Sequence, residues 1–309
     1  MVDSVAVIGA GTMGRSIAQF FLQNDVSVSL IDENKQALDD AKIAITQQMN
    51  DLREKGIISS KHGVKRLQAA SSYPEKLEVD VVIEAIPEKL TWKQALFSKL
   101  ESSCNQETLF ATNTSGLSIT EIASVLDYPE RLIGTHFFTP AAIVPLVEVV
   151  KGERTSDETA DTIMNMFKKL GKKPVLLQKE IPGFIGNRIQ HALNREAISL
   201  LDSGIASAED IDTVVKWSIG LRMALTGPIE QRDVNGLDIH YDIASYLYKD
   251  LNNETTPSSL LKEKVDRGEV GLKTDKGFYD WHNINKNHYI QGKNEQLIEL
   301  IQSMLKNEK

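Results

Sequence analysis

Residues 4 to 32 read "SVAVIGAGTMGRSIAQFFLQNDVSVSLID". Val5, Val7 and Ile8 form the apolar side of a buried strand, and Gly9, Gly11 and Gly14 follow in G-x-G-x-x-G spacing. Ile17, Ala18, Phe20, Phe21 and Leu22 then give the apolar face of a helix. A second strand, "VSVSLID", ends on a carboxylate, Asp32. The spacing has a mechanical reason. Gly9 permits a tight turn, Gly11 lets the backbone approach a pyrophosphate, and Gly14 lets the helix pack close to the strand, so that its amino terminus faces the phosphates. Asp32 stands 18 residues beyond Gly14, where a carboxylate accepts both ribose hydroxyls of an adenosine and repels a 2′-phosphate. By itself the fingerprint is a glycine-rich turn. Between a strand and a helix, with an acid closing the next strand, it predicts a dinucleotide site, for NAD rather than NADP.

The alternation continues. "EVDVVIEAI" reads as a strand, "LTWKQALFSKLES" as a helix, "TLFATNTS" as a strand and "ITEIASVL" as a short helix. "RLIGTHFF" and "VPLVEVV" are strands, followed by a helix from about Asp157 to Leu170 and the strand "KPVLLQK". Such alternation predicts an α/β fold, a Rossmann-type doubly wound and mostly parallel sheet, over residues 1–181. From "KEIPGFIGNRIQHALNREAISLLDSG" onward the pattern is almost entirely helical, with segments beginning near Ser207, Pro228 and Pro257. Residues 182–309 are therefore expected to form a smaller all-α domain. Ligands in open α/β sheets bind beyond the carboxyl ends of the strands. Glu88, Asn113, Ser115 and His136 all fall at or just after such ends. Asn187 lies in the first turns of the long helix, at the domain junction where small-molecule sites concentrate.

Composition bounds the task. The 309 residues are 41% hydrophobic and 25% charged, as in an ordinary globular protein large enough for two domains. A formal net charge of −8 argues against nucleic acid as a partner. No apolar run is long enough for a membrane span, and strand-like sequence from Ser4 leaves no room for a signal peptide. The single cysteine, Cys104, excludes an internal disulfide, and a cytoplasmic location is expected. His62, His191, His240, His282 and His288 show no metal-ligand spacing, so no metal is expected. Trp92, Trp217 and Trp281 read as packing residues, and Cys104 as inert. In "DLREKGIISSKHGVKRLQ", Arg53, Lys55, Lys61, Lys65 and Arg66 form a basic patch, which reads first as a solvated face.

Residues 134 to 152, "GTHFFTPAAIVPLVEVVKG", pose the chemical question. The stretch reads as two buried strands, yet it holds His136 and Glu148. Ionisable groups in apolar surroundings must be paired. These two are either a satisfied core pair or a base with its orienter, and the stretch by itself leaves both readings open.

"GAGTMG", "EAIPEKLTWKQALF", "TNTSGLSITEIA", "GTHFFTPAAIVPLVEVVKGERTS", "LGKKPV", "IPGFIGNRI", "ASAEDID" and "DKGFYDW" resemble, in order and spacing, the NAD-dependent L-3-hydroxyacyl-CoA dehydrogenases, through nearly the whole chain. The resemblance implies that His136 is the catalytic histidine, Glu148 its partner, and Ser115 and Asn187 further catalytic residues. It implies cofactor contacts from Gly9, Gly11, Thr12, Met13, Gly14, Asp32, Glu88 and Lys93, and Asn113 joins them by its strand-end place. It also implies a helical second domain that forms a homodimer. The chemistry is coherent: oxidation of a secondary alcohol needs a base for the hydroxyl proton as the hydride leaves, and imidazole suits this near neutrality.

Two features depart from the acyl-CoA pattern. Family members that act on acyl-CoA usually carry asparagine in "HFFNP", where this chain has Thr139. "SIGLRMALTGPIEQRDVNGLD" is more similar to the branch containing lambda-crystallin and the carnitine dehydrogenases, which oxidise free 3-hydroxy acids. Arg222 in that stretch suits a free carboxylate through a bidentate pair. Thr139, Arg222, Ser115 and Asn187 are thus the candidate substrate contacts. The basic patch supports the other reading, because the corresponding region of the acyl-CoA enzymes contacts CoA. The leading expectation is an NAD-dependent dehydrogenase of an L-3-hydroxyacyl-CoA or a related 3-hydroxy acid. The alternatives are a dehydrogenase of free 3-hydroxy acids and a non-catalytic, crystallin-like NAD-binding protein. The intact set His136, Glu148, Ser115 and Asn187 argues against the last.

Overall fold

The computed structural model describes residues 2–60 and 63–307. Lys61 of the basic patch and His62 lie outside the described residues. Strand β1 (Ser4–Ile8) leads through the glycine turn into helix α1 (Thr12–Gln23), and β2 (Ser27–Ile31) follows. Then come α2 (Lys35–Glu54), β3 (Leu67–Ala70), β4 (Val81–Glu84), α3 (Leu90–Ser103), β5 (Leu109–Thr112) and the short α4 (Ile119–Ala123). The sheet is completed by β6 (Leu132–Phe137), β7 (Leu146–Val150), α5 (Asp157–Lys169) and β8 (Lys173–Leu177). The spatial order is β3-β2-β1-β4-β5-β6-β7-β8.

All neighbours pair in parallel except β6 and β7. Only eight residues, 138–145, separate those two strands, too few for the helical crossover that a parallel pair requires. β7 therefore turns back beside β6, and His136 comes directly opposite Glu148 in the register. Because β8 runs parallel to β7, its amino end also reaches the edge where β6 finishes.

Burial on both faces explains the near-continuous apolar strands. One face packs against α1, α2 and α5, with Phe20, Phe21 and Phe167 among the buried residues. The other packs α3 and α4, where Phe97 and Phe110 meet edge-on at 5.8 Å, both fully buried. α5 illustrates how sequence sets an element's ends. Ser156 accepts from the Thr159 N–H, Asp157 and Glu158 sit in the first turn, and Lys168 and Lys169 sit in the last, each placed favourably in the helix dipole. α1 differs: Gly11 offers its amino terminus no side-chain cap, and its first turn holds no acid.

The contacts divide the chain into Met1–Arg188 and Ile189–Lys309. The division falls inside α6 (Gly186–Asp202), whose first turn is hydrogen-bonded to Glu148 on β7. Beyond α6 the second unit holds α7 (Ala208–Val214), a π-helical segment Val215–Gly220, α8 (Leu221–Met223) and α9 (Pro228–Asn235). α10 (Leu237–Leu247), α11 (Ser259–Asp266) and α12 (Lys286–Asn307) follow. The sequence reading does not mark α2, nor β3, hidden at the end of the basic segment, nor the 22-residue α12 after "DKGFYDW". Among the described residues, no helix is long and apolar enough to cross a membrane.

The tightest steric constraint lies at Gly14, where an added Cβ would sit 1.7 Å from the Gly9 carbonyl oxygen. Gly14→Ala must push α1 away from β1, an overpacking cost of about 1–3 kcal/mol. Thermal denaturation should show a lowered midpoint, and NAD affinity should fall with it. An unchanged midpoint would contradict the close helix–strand approach.

Candidate active site

The site is built along the carboxyl edge of the sheet. Gly9 turns the chain out of β1 at φ +105°, where a Cβ would meet the Ala85 carbonyl at 2.7 Å. A Cβ on Gly11 would meet nothing within 4 Å, so this side of the loop is open. Thr12 and Met13 form the first turn of α1. Asp32 follows β2 and is set by the backbone: its Oδ2 accepts from Ala10 N at 2.7 Å and its Oδ1 from Asn34 N at 2.8 Å. Each oxygen keeps lone-pair capacity for a ribose hydroxyl. These residues fit a dinucleotide: an uncapped helix terminus free of acid for the pyrophosphate, and a carboxylate anchored beside it.

Next along the edge is a buried charge network. Glu84, at the end of β4, is fully buried and binds the Lys93 ammonium at 2.6 Å. It also accepts from Thr112 Oγ1 at 2.6 Å and Ile86 N at 2.7 Å. Burial pushes the Glu84 carboxyl above the ordinary glutamate value, against the opposing pull of Lys93 and the two hydrogen bonds. Lys93, expected among the cofactor contacts, is only 1% exposed, and its ammonium also reaches Glu88 Oε2 at 3.3 Å. It stands behind Glu88, on the protein side. Glu88 in turn accepts from Thr114 Oγ1 and from Ser115 N at 2.8 Å. Burial pushes Glu88 up, but Thr114, Lys93 and Ser115 outweigh it and hold the group below the usual glutamate value.

The chain after β5 is shaped by the same network. Asn113 accepts from Phe137 N through Oδ1 at 3.0 Å, bridging β5 to the end of β6. Ser115 is exposed, and its carbonyl accepts from Asn187 Nδ2 at 3.2 Å. Asn187 therefore looks back at the sheet from the first turn of α6.

At the centre, His136 Nδ1 lies 2.7 Å from Glu148 Oε2, with both residues buried. The second oxygen of Glu148 accepts from Ile185 N and Gly186 N, each at 2.9 Å. Burial pushes Glu148 up, but the hydrogen bonds from His136, Gly186 and Ile185 prevail and keep its carboxyl below the ordinary value. An ionised carboxylate only accepts, so Nδ1 must carry the proton and Nε2 is left free. Phe138 and Phe184 flank the imidazole with ring centroids at 4.7 and 5.6 Å. Gly186 makes room for Phe138, whose Cζ would lie 2.4 Å from an added Cβ.

The edge thus gathers Gly9, Gly11, Thr12, Met13, Gly14, Asp32, Glu88, Asn113, Ser115, His136, Glu148 and Asn187 on one unit. Thr139 follows β6 and donates to Met13 Sδ at 3.1 Å. Arg222 belongs to the second unit, exposed on α8 just after the π-helical segment. Glu84, Thr112, Thr114, Phe138 and Phe184 are site-building residues that the sequence reading does not single out. For Glu84 a signal exists: an acid inside "VVIEAI" is as conspicuous as the histidine in "GTHFF".

A family model described as 3-hydroxyacyl-CoA dehydrogenase, NAD binding domain, matches residues 4–181. The C-terminal domain model of that family matches residues 183–281. The chain belongs to the 3-hydroxyacyl-CoA dehydrogenase family. It is an NAD-dependent oxidoreductase. Over 282 residues it is 36% identical to the 3-hydroxybutyryl-CoA dehydrogenase of Clostridioides difficile, covering 90% of this chain and 99% of that one. It is 33% identical over 280 residues to the 5-formyl-3-hydroxy-2-methylpyridine 4-carboxylate 5-dehydrogenase of Mesorhizobium japonicum, covering 90% and 91%. A crystal structure of a dehydrogenase of that same name, described as an NAD+-dependent dismutase, superposes with a TM-score of 0.92 at 30% identity. That match covers 98% of this chain and 99% of the other.

Replacing Lys93 with Met would leave Glu84 buried without its counter-charge, which costs about 3–5 kcal/mol. Chemical denaturation should show that loss for Lys93→Met, and most of it should return in Lys93→Met/Glu84→Gln. A single variant as stable as the parent would contradict the buried pair.

Proposed function

We propose that the chain oxidises the 3-hydroxyl of an L-3-hydroxyacyl-CoA, or of a related 3-hydroxy acid, to the 3-keto product, reversibly, with His136 as the base. The observation that carries this reading is the 2.7 Å contact between His136 Nδ1 and Glu148, on the sheet edge that also bears the glycine loop. When bound, NAD supplies the hydride acceptor in one direction and the hydride donor in the other. His136 Nε2 takes the hydroxyl proton, while Glu148 stabilises the imidazolium that forms. The carboxylate can do so because its other oxygen is already held by the first-turn amides of α6. Phe138 and Phe184 keep water from the ring. Ser115 and Asn187 hydrogen-bond the reacting oxygen and polarise the ketone in the reverse direction. Asp32 selects the unphosphorylated ribose, Glu88 and Asn113 border the cofactor, and Lys93 acts through Glu88.

A second reading has its own support. Thr139 stands where the acyl-CoA pattern has asparagine, Arg222 offers a partner for a free carboxylate, and the pyridine-carboxylate dehydrogenase matches over nearly its whole length. On this reading a free 3-hydroxy acid replaces the thioester. The second unit further supports a homodimer. Its helices α7 to α11 bury no residue, and Trp217, Leu225, Ile229 and Tyr241 are each more than 70% exposed. A second copy of the chain covers that apolar surface, and light scattering should give twice the mass of one chain. The cytoplasm is the proposed location, which cell fractionation tests.

Formation of reduced nicotinamide with NAD tests both substrate readings. L-3-hydroxyacyl-CoA thioesters should turn over, and His136→Asn should lower kcat by about 10²- to 10⁴-fold while NAD affinity holds. Turnover of free acids alone selects the second reading, and Arg222→Ala should then raise KM. No turnover of either set, or an active His136→Asn, would overturn the assignment.

A further inference from the structure

Lys172 is a buried cation that the mechanism above leaves unused. It lies in the turn between α5 and β8, is only 6% exposed, and sits under the segment 138–145 that joins β6 to β7. The reversal of β7 brings it there: Lys173 pairs with Leu146 in the register, and Lys173 N donates to Pro145 O at 2.8 Å. The Lys172 ammonium donates to Ala141 O at 2.5 Å and to Val144 O at 2.6 Å. Its charge rests over the rings of Phe20 at 4.4 Å and Phe137 at 5.7 Å. Among the described residues no carboxylate pairs with it. The segment "FTPAAIVP" holds no ionisable group, and the neighbouring charges Lys168, Lys169 and Lys173 are positive. Burial without a counter-charge brings the Lys172 pKa from 10.5 down to about 7.

A cation in such a place is costly, and its occupation has a geometric result. The segment has no ladder of its own, so its inward carbonyls need donors. Ile143 N and Val144 N both turn back onto Pro140 O at 2.9 Å, and Ala142 N donates to Ser16 Oγ on α1 at 3.1 Å. Among the described residues, the ammonium is the donor that reaches Ala141 O and Val144 O. From the other side Thr139 meets Met13 at 3.1 Å, in the first turn of α1. The segment begins at Phe138, whose ring covers His136. It therefore borders the catalytic half of the cofactor cleft, away from Asp32 at the end of β2.

We propose that Lys172 is a positioning residue for the nicotinamide half of the cofactor site, acting through the backbone of residues 138–145. The inference rests on reading the glycine loop, Asp32 and Thr139 as cofactor-site residues. Without the ammonium the segment loses two inward hydrogen bonds and its fixed distance from Met13 and His136. The adenosine half, built on Asp32 and the glycine loop, keeps its geometry.

The test compares binding of NADH, followed by its fluorescence, with binding of ADP-ribose, which lacks the nicotinamide, followed by calorimetry. In Lys172→Met, NADH affinity should fall about tenfold or more, the scale of lost hydrogen bonds to a charged donor. ADP-ribose affinity should stay within about twofold of the parent. Equal losses for both ligands, or no loss for either, would overturn the proposal, because a merely structural lysine does not separate the two halves. If the methionine variant does not fold, Lys172→Gln keeps a neutral donor and should show the same split at smaller size. Failure of the parent chain to bind ADP-ribose would instead refute the reading of the glycine loop, and this inference with it.

Discussion

Glu148 spends both of its carboxylate oxygens on different parts of the structure, and the site depends on that division. One oxygen holds His136 across a strand pair; the other holds the first turn of α6. Each needs the reversal of β7. A parallel neighbour at this position would require a crossover, and the two side chains would no longer be matched by a twelve-residue hairpin. Directly opposed residues on one face of an antiparallel pair have Cβ atoms about 4.5–5.5 Å apart, which is the span an imidazole and a carboxylate bridge. The three hydrogen bonds to Glu148 hold its carboxyl below the ordinary value, and an ionised Glu148 fixes the neutral His136 ring with its proton on Nδ1.

The neighbouring network works by the same physics with a different result. Glu84 and Glu88 share the one buried ammonium of Lys93, and Ile86 N, Thr112, Thr114 and Ser115 N supply further donors. Glu84, with no solvent, is driven upward by burial, while Glu88, at the rim, is held low by its donors. The inner carboxylate anchors; the outer one faces the cleft. Through Ser115 N and Thr114 this pairing sets the backbone that Asn187 meets from α6. Two carboxylates along the sheet edge thus share Lys93, while Glu148 pairs with His136 on the neighbouring strand.

Much of this is legible in the amino-acid sequence. The glycine fingerprint, its acid-ended second strand and the strand–helix alternation point to the observed sheet, because period and punctuation are local properties. His136 and Glu148 stand out because an apolar strand has no cheap place for an ionisable group. Other features depend on tertiary placement. Lys93, expected as a cofactor contact in "LTWKQALF", and Lys172, unremarked in "LGKKPV", are both buried, and only the fold shows it. β3 is four residues at the sheet edge within a charged segment, too short to announce itself. α12 begins on an asparagine cap, Asn285, whose Oδ1 accepts from His288 N at 3.1 Å, but its polar composition reads as tail. Arg222 is the opposite case: its chemistry is legible and its partner is not.

The most direct test of the account is the protonation of His136 itself. Nitrogen-15 NMR of the imidazole, in a chain where the other histidines are assigned, distinguishes the two tautomers of the neutral ring. The account predicts the proton on Nδ1, hydrogen-bonded to Glu148, with Nε2 bare, and a loss of that fixed tautomer in Glu148→Gln. A neutral ring protonated on Nε2, or a tautomer indifferent to Glu148, would mean that the pair is a packing contact and that the base lies elsewhere.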